Sequence, residues 1–137
     1  MLSPVMRELL DGRNFATLAT INRDGSPQVT TMWVTRQDNN IIMNTAAGRV
    51  KWHNMRRDPR VSVCLFDGAD PYRTATVKGQ VVELRTSDGE AVIDALARKY
   101  LDVDKYPWHS PGQQRVTIVI EPTSDGKSDR QGRRPLK

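Results

Sequence analysis

The sequence predicts a mainly β, single-domain protein in which six strands form a small closed or half-closed antiparallel barrel accompanied by short helices. Three observations predict it. Six runs are rich in β-branched and small apolar residues, and turn residues separate the first three of them into a meander. Helical spacing is confined to three short stretches. The order is helix, three strands, helix, two strands, helix, strand, without the βαβ alternation that a parallel doubly wound sheet requires. The 137 residues fit one domain that removes roughly two-thirds of its unfolded surface from water.

Each element has its own signal. Residues 4–10 read as a helix, with Ser3 as N-cap, Pro4 in the first helical position and Gly12 as the stop. The run FATLATIN, residues 15–22, is the first strand, and Arg23-Asp24-Gly25 supplies a turn with glycine where positive φ is cheap. Residues 27–37, PQVTTMWVTRQ, alternate as one second strand. Asp38-Asn39-Asn40 turns the chain into a third strand over 41–44. Helical spacing over 49–57 ends before Pro59, because the residue preceding proline avoids the α region. VSVCLF is the fourth strand and DGADPY a loop. RTATVKGQVVEL is a long fifth strand with Gly79 as its bulge or bend. Ser87 and Glu90 have the spacing of a capping box opening a helix through Tyr100, with Ile93, Leu96 and Tyr100 on its buried face. The irregular LDVDKYPWHSPGQQ leads to the last strand, RVTIVIEP. The barrel domain is thus assigned to residues 1–122, and 123–137 to a polar, basic, mobile tail.

Composition narrows the function classes. Charged residues make up 27% and hydrophobic ones 37%, ordinary for a soluble protein. No apolar stretch approaches the ~20 residues of a membrane span. The N-terminus carries Glu8 and Asp11 where a signal peptide keeps an apolar run. The single cysteine, Cys64, lies in an apolar strand and reads as a buried small hydrophobe, consistent with a reducing, cytoplasmic setting. The net charge of +5 points to an anionic partner such as a phosphorylated cofactor.

Familiar catalytic constellations are missing. His53 and His109 stand in no metal-ligand spacing, and there is no G-x-S-x-G elbow, P-loop or G-x-G-x-x-G. His109, in PWHSP, reads as a surface or packing residue. The strongest chemical signal is the helix that opens at Arg49. Asn44, Thr45, Ala46, Ala47 and Gly48 lead from a strand into its first turn, where small residues let a ligand reach free backbone N–H groups. Arg49 adds a bidentate donor and Lys51 a point charge. From spacing alone a phosphate site and a solvated basic helix packed by Val50 and Met55 both fit.

The run NTAAGRVKWHNMRRDPRVSV, from Asn44 onward, resembles the signature of the pyridoxamine 5'-phosphate oxidase-like split β-barrel superfamily. With FATLATINRDGSPQV and DGADPYRTATVKG in the same order, it is most similar to the flavin/deazaflavin oxidoreductases that use coenzyme F420. The resemblance covers about residues 2–122. It implies a six-stranded antiparallel split β-barrel, the FMN-binding split-barrel fold, and a homodimer with cofactor sites shared across the interface. Arg49 and Lys51 then match the phosphate-binding cations, and Thr45, Ala46, Ala47 and Gly48 the backbone around the phosphate. Asn54 matches a helix asparagine that holds this segment and touches the cofactor. Gln28, Val29, Thr30, Thr31, Met32 and Trp33 match the strand along the tricyclic ring. Tyr72 matches an aromatic residue that reaches the other subunit's cofactor. The implied activity is F420H2-dependent hydride transfer to an electron-poor conjugated small molecule. An FMN-dependent oxidase or reductase of the same fold and a non-catalytic cofactor-binding protein are the alternatives. The lack of an acid–base pair fits this chemistry, which the cofactor carries. Trp33 serves either ring stacking or packing, and Trp108 either a lid or loop packing. No metal, membrane or nucleic-acid partner is expected, although the tail GKSDRQGRRPLK is basic.

Overall fold

The computed structural model describes residues 2–124. Its elements are α1 (Pro4–Asp11), β1 (Ala16–Ile21), β2 (Pro27–Met32), β3 (Thr35–Gln37), β4 (Asn40–Ala46), α2 (Val50–Arg57), β5 (Arg60–Phe66), β6 (Thr74–Arg85), α3 (Gly89–Leu101) and β7 (Arg115–Pro122). The seven strands form one sheet in the order β2-β1-β5-β6-β7-β4-β3, with every pairing antiparallel. The edge strands β2 and β3 are consecutive in the chain and only Trp33 and Val34 lie between them. Two residues span at most about 11 Å between the flanking Cα atoms. The sheet therefore has to curl until its two edges nearly meet, which gives a split, unclosed barrel.

This link corrects the expected single strand over 27–37, and with it the count of six strands. The period-two pattern does run through Trp33 and Val34, but long-range partners take the backbone groups of Val34 out of the ladder. Tyr100 Oη accepts the Val34 N–H at 3.2 Å and donates to the Asn14 carbonyl. Lys99 Nζ donates to the Val34 and Leu10 carbonyls, each at 2.6 Å. Burial raises the Tyr100 pKa, so its hydroxyl stays a donor at neutral pH. Tyr100→Phe strands these groups and is expected to lower stability by about 1–3 kcal/mol. Chemical denaturation checks it; an unchanged midpoint would mean that Lys99 alone holds the link.

α1 starts as expected, with Ser3 Oγ accepting the Met6 N–H at 3.1 Å and Pro4 in the first turn. Gly12 ends it in an extended conformation, its N–H on the Glu8 carbonyl at 3.0 Å. An isolated eight-residue helix is marginal in water. Burial of Leu2, Met6, Leu9 and Leu10 in the barrel core, at about 1.5–3 kcal/mol each, makes up the difference. The core continues through Leu18, Ile41, Met43, Val63, Leu65, Val77, Ile118 and Ile120. A second, smaller cluster joins Ile93, Leu96 and Tyr100, the expected buried face of α3, to Trp33 and Tyr106.

Three local expectations are corrected. Gly79 is not the bulge of β6; it pairs regularly with Val61 and Pro122, and the register shifts at Val82 instead. Gly79 is needed for space, since a Cβ there would lie 2.8 Å from both the Glu121 carbonyl oxygen and Ile120 Cγ2. The Ser87–Glu90 capping box does not form. α3 begins behind Asp88, whose carboxylate is held by both arms of Arg85, at 2.9 and 3.2 Å. On α2, Val50 is 57% exposed rather than packed; the inward face is Lys51, Asn54 and Met55. The expected mobile tail lies outside the described residues beyond Ser124. Thr123 and Ser124 themselves hydrogen-bond the backbone of Lys78.

Candidate functional site

A cleft of about 310 Å³ opens between the start of α2, the end of β2, α3 and the loop 102–114. One end is cationic. β4 delivers the chain to a turn where the Ala47 N–H binds the Gln114 carbonyl at 3.0 Å. Gly48 then takes φ +94° with open space around it, so glycine is required by conformation and not by crowding. Arg49 is the N-cap of α2 with no side-chain cap bond, and the first-turn N–H groups have no intrahelical acceptor. Within the first turn, Lys51 is only 8% exposed, and Arg115, at the start of β7, is only 5% exposed.

These cations have no ion pair among the described residues. Arg115 Nε donates to Asn44 Oδ1 at 2.9 Å and its Nη1 to Gln113 Oε1 at 3.3 Å, both neutral partners. Burial lowers the Lys51 pKa, and Arg49 and Arg115 lower it further. Burial also lowers that of Arg115; Arg49 adds to the effect, while Tyr106 and Glu90 oppose it. Two buried cations beside a third are costly unless an anion joins them. Asn44 fixes the geometry, because its Nδ2 also donates to the Gly89 carbonyl at 2.9 Å and ties β4, β7 and α3 together.

The other end is aromatic. Trp33 stacks on Tyr100 with centroids 5.4 Å apart and planes 8° from parallel. Tyr106 meets Trp33 edge-on at 6.0 Å, Trp108 lies 5.6 Å from Tyr106, and the Arg115 guanidinium sits 5.2 Å over the Tyr106 ring. Phe15, Ile93 and Leu96 complete the apolar lining. Two other clefts are larger, at about 360 and 480 Å³. Volume does not select the site; charge does. In those clefts Arg36, Arg85 and Arg60 are paired with carboxylates and Lys99 with carbonyls, and Lys78 is exposed to solvent, so neither holds a buried cation without a partner.

Of the residues singled out in the sequence, Thr31, Met32, Trp33, Asn44, Arg49, Lys51 and Trp108 line this cleft. Ala47 and Gly48 form the turn into α2, and Thr45 and Ala46 are buried in β4. Gln28 Oε1 accepts from Thr20 Oγ1 at 3.0 Å, and Val29 is 57% exposed. Thr30 Oγ1 is buried without a partner among the described residues. Asn54 is buried and tied to Thr20, Asn22 and Arg57, so it anchors α2 to β1. Tyr72 is exposed in the loop before β6 and does not line the cleft of its own chain. Sequence reasoning gave no role to Arg115, Tyr106 or Phe15. Arg115 reads locally as a charged strand end; only the Ala46↔Arg115 register places it beside the Gly48 turn.

Comparison with known proteins matches residues 2–124 to the family model of pyridoxamine 5'-phosphate oxidase. An F420 reductase is 29% identical, with a TM-score of 0.76 over 86% of this chain and 93% of that one. A conserved hypothetical protein from Mycobacterium tuberculosis is 26% identical, with a TM-score of 0.67 over 100% of this chain and 92% of that one. The General Stress Protein 26 from Bacillus anthracis shares the fold at 18% identity, with a TM-score of 0.64 over 86% of each chain. No helix among the described residues is long and apolar enough to cross a membrane.

Proposed function

The chain belongs to the pyridoxamine 5'-phosphate oxidase family, and on that premise we propose that it is an F420H2-dependent reductase of an electron-poor conjugated small molecule. The observation that carries this reading is the pair of buried cations, Lys51 and Arg115, without a carboxylate partner among the described residues. A phosphate fits that donor set: a bidentate guanidinium from Arg49, an ammonium from Lys51, and a second guanidinium held by Asn44. The likeness to an F420 reductase supports the deazaflavin over other phosphorylated ligands.

When bound, the cofactor supplies the hydride chemistry. The protein's own part is to bind, orient and exclude water. Arg49, Lys51 and Arg115 hold the phosphate end. Trp33, Tyr106 and Trp108 wall the opposite end, and β2 runs along the ring through Thr31 and Met32. Asn54 contributes by fixing α2 on β1. Tyr72, exposed on its loop, serves a site shared with a second copy of the chain in a homodimer.

Titration with F420 and with FMN, followed by fluorescence, tests the proposal. Submicromolar F420 binding and weak FMN binding are expected, in the range where −8 kcal/mol corresponds to about 1 μM. Arg115→Met is expected to weaken F420 about tenfold or more, the worth of a charged hydrogen bond of about 1.5–3 kcal/mol. Tight FMN with no F420 response would instead identify an FMN enzyme of the same fold. A size measurement made alongside should show a dimer; a monomer of full affinity would contradict the shared site.

A further inference from the structure

In the loop 102–114 one side chain, His109, reaches two carboxylates of α3 at once. His109 Nδ1 lies 3.0 Å from Glu90 Oε2, and His109 Nε2 lies 3.1 Å from Asp94 Oδ1. The two carboxylates are four residues apart and share one face of α3. The same Asp94 oxygen accepts the Tyr106 N–H at 2.9 Å. The Tyr106 ring meets the His109 ring edge-on at 5.3 Å. On its other side Tyr106 contacts Trp33 and Trp108 in the cleft. His109 thus sits outside the cleft but contacts Tyr106, one of the aromatic residues that wall it, and directly follows another, Trp108.

We propose that His109 is a positioning residue whose charged imidazole latches this loop over the cleft and whose neutral form releases one of the two attachments. A neutral imidazole has one N–H and one lone pair. It can donate to Glu90 or to Asp94, and then turns its lone pair toward the other carboxylate. The imidazolium donates to both. The remaining charges around it are few: Lys105 lies within electrostatic reach of Asp94, and Glu90 within reach of Arg115 on β7. The latch is local because the other ties lie to either side of it: Tyr106 packs on Trp33 under the Arg115 guanidinium, and the Gln114 carbonyl accepts the Ala47 N–H. Trp108 is 61% exposed, and apart from Tyr106 N–H on Asp94 the loop is tied to α3 through the backbone of Asp104, which accepts from Arg98 at 3.0 Å. Loss of one arm therefore loosens the stretch between the Tyr106 and Gln114 anchors, where Trp108 is largely exposed. The cleft therefore closes more firmly where the imidazole is charged than where it is neutral.

The mechanics of the latch stand on the geometry alone; its importance to turnover rests on the proposed function. The test is backbone hydrogen exchange over 102–114 in the cofactor-free protein, at about pH 5.5 and about pH 8, corrected for intrinsic exchange. The loop is expected to be about three- to tenfold more protected at the lower pH, the range of one exposed or half-exposed ion pair. His109→Gln should abolish that difference. His109→Arg, whose planar fork keeps donors for both carboxylates at either pH, should restore protection at the higher pH. Equal protection of the wild-type loop at both pH values, or a difference that survives in His109→Gln, would overturn the proposal. In a second arm, release of FMN or F420 is expected to be faster at the higher pH in wild type and pH-independent in His109→Gln. If neither cofactor binds, the proposed function fails while the exchange experiment still decides the latch.

Discussion

Lys51→Met is expected to make the cofactor-free protein more stable and the cofactor-bound protein weaker. Lys51 is 8% exposed, faces Arg49 and Arg115, and has no carboxylate partner among the described residues. Its burial is therefore a cost that the empty fold carries. Methionine keeps the stem and removes the charge. A gain on the order of 1 kcal/mol in the cofactor-free state follows from replacing a poorly compensated buried ion with an apolar isostere. Against that, a phosphate loses a charged donor worth about 1.5–3 kcal/mol, or roughly 10–150-fold in affinity. The two signs separate a binding residue from a packing residue, since a lysine kept for packing would lose stability in both states. Thermal unfolding with and without cofactor reads both at once.

The pH dependence carries the same sign. The folded pKa of Lys51 lies below 10.5, so between the two values the unfolded chain binds more protons. Stability of the cofactor-free wild type should therefore rise as pH climbs toward 10.5, with the full cost present below the folded value. The rise should be smaller in Lys51→Met. A bound phosphate should flatten it too, because the anion favours the charged amine.

Gly89→Ala is the substitution expected to be most damaging outside the core. A Cβ at Gly89 would lie 2.0 Å from the Arg115 carbonyl oxygen, 2.4 Å from its carbonyl carbon and 3.0 Å from the Val116 nitrogen. All three are backbone atoms of β7, a strand paired on both sides, so no side chain can swing away. The first turn of α3 must lift off the sheet. The cost should reach or exceed the upper end of the ~1–3 kcal/mol typical of overpacking. The site should suffer with the fold, because Asn44 binds the Gly89 carbonyl and Arg115 together. A denaturation midpoint that falls with an unchanged slope would show lost stability and not a changed unfolded state. A midpoint within error of wild type would refute the close approach of α3 to β7.

What was legible in the sequence was what neighbours along the chain decide. Ser3 and Pro4 start α1 because the capping oxygen is three residues from its N–H. Gly25 sits where the backbone takes positive φ, as its turn sequence implies. Arg49 and Lys51 could be singled out because they sit together at the head of one helix. What was not legible depends on residues far away. The break at Val34 exists because Tyr100, 66 residues later, takes its N–H. Arg115 becomes a site residue only through its pairing with Ala46. Gly79 was rightly marked as special, but its reason, the carbonyl of Glu121 across the ladder, lies on another strand. The family resemblance supplied the split barrel where local patterns left closed and half-closed forms open.

The placement of β7 has a consequence for how the chain is made. β4 has only β3 and β7 as neighbours, and β7 is also the last strand of the described residues. As the chain emerges from the ribosome, β1, β2, β5 and β6 can pair with one another. The β3–β4 hairpin meanwhile hangs from them without a ladder of its own. β7 then inserts between β6 and β4, and in the same step Arg115 meets Asn44. The cationic end of the cleft is therefore assembled only when the sheet is. Such late, long-range pairing is slow to form, so the cleft is among the last parts of the molecule to take shape.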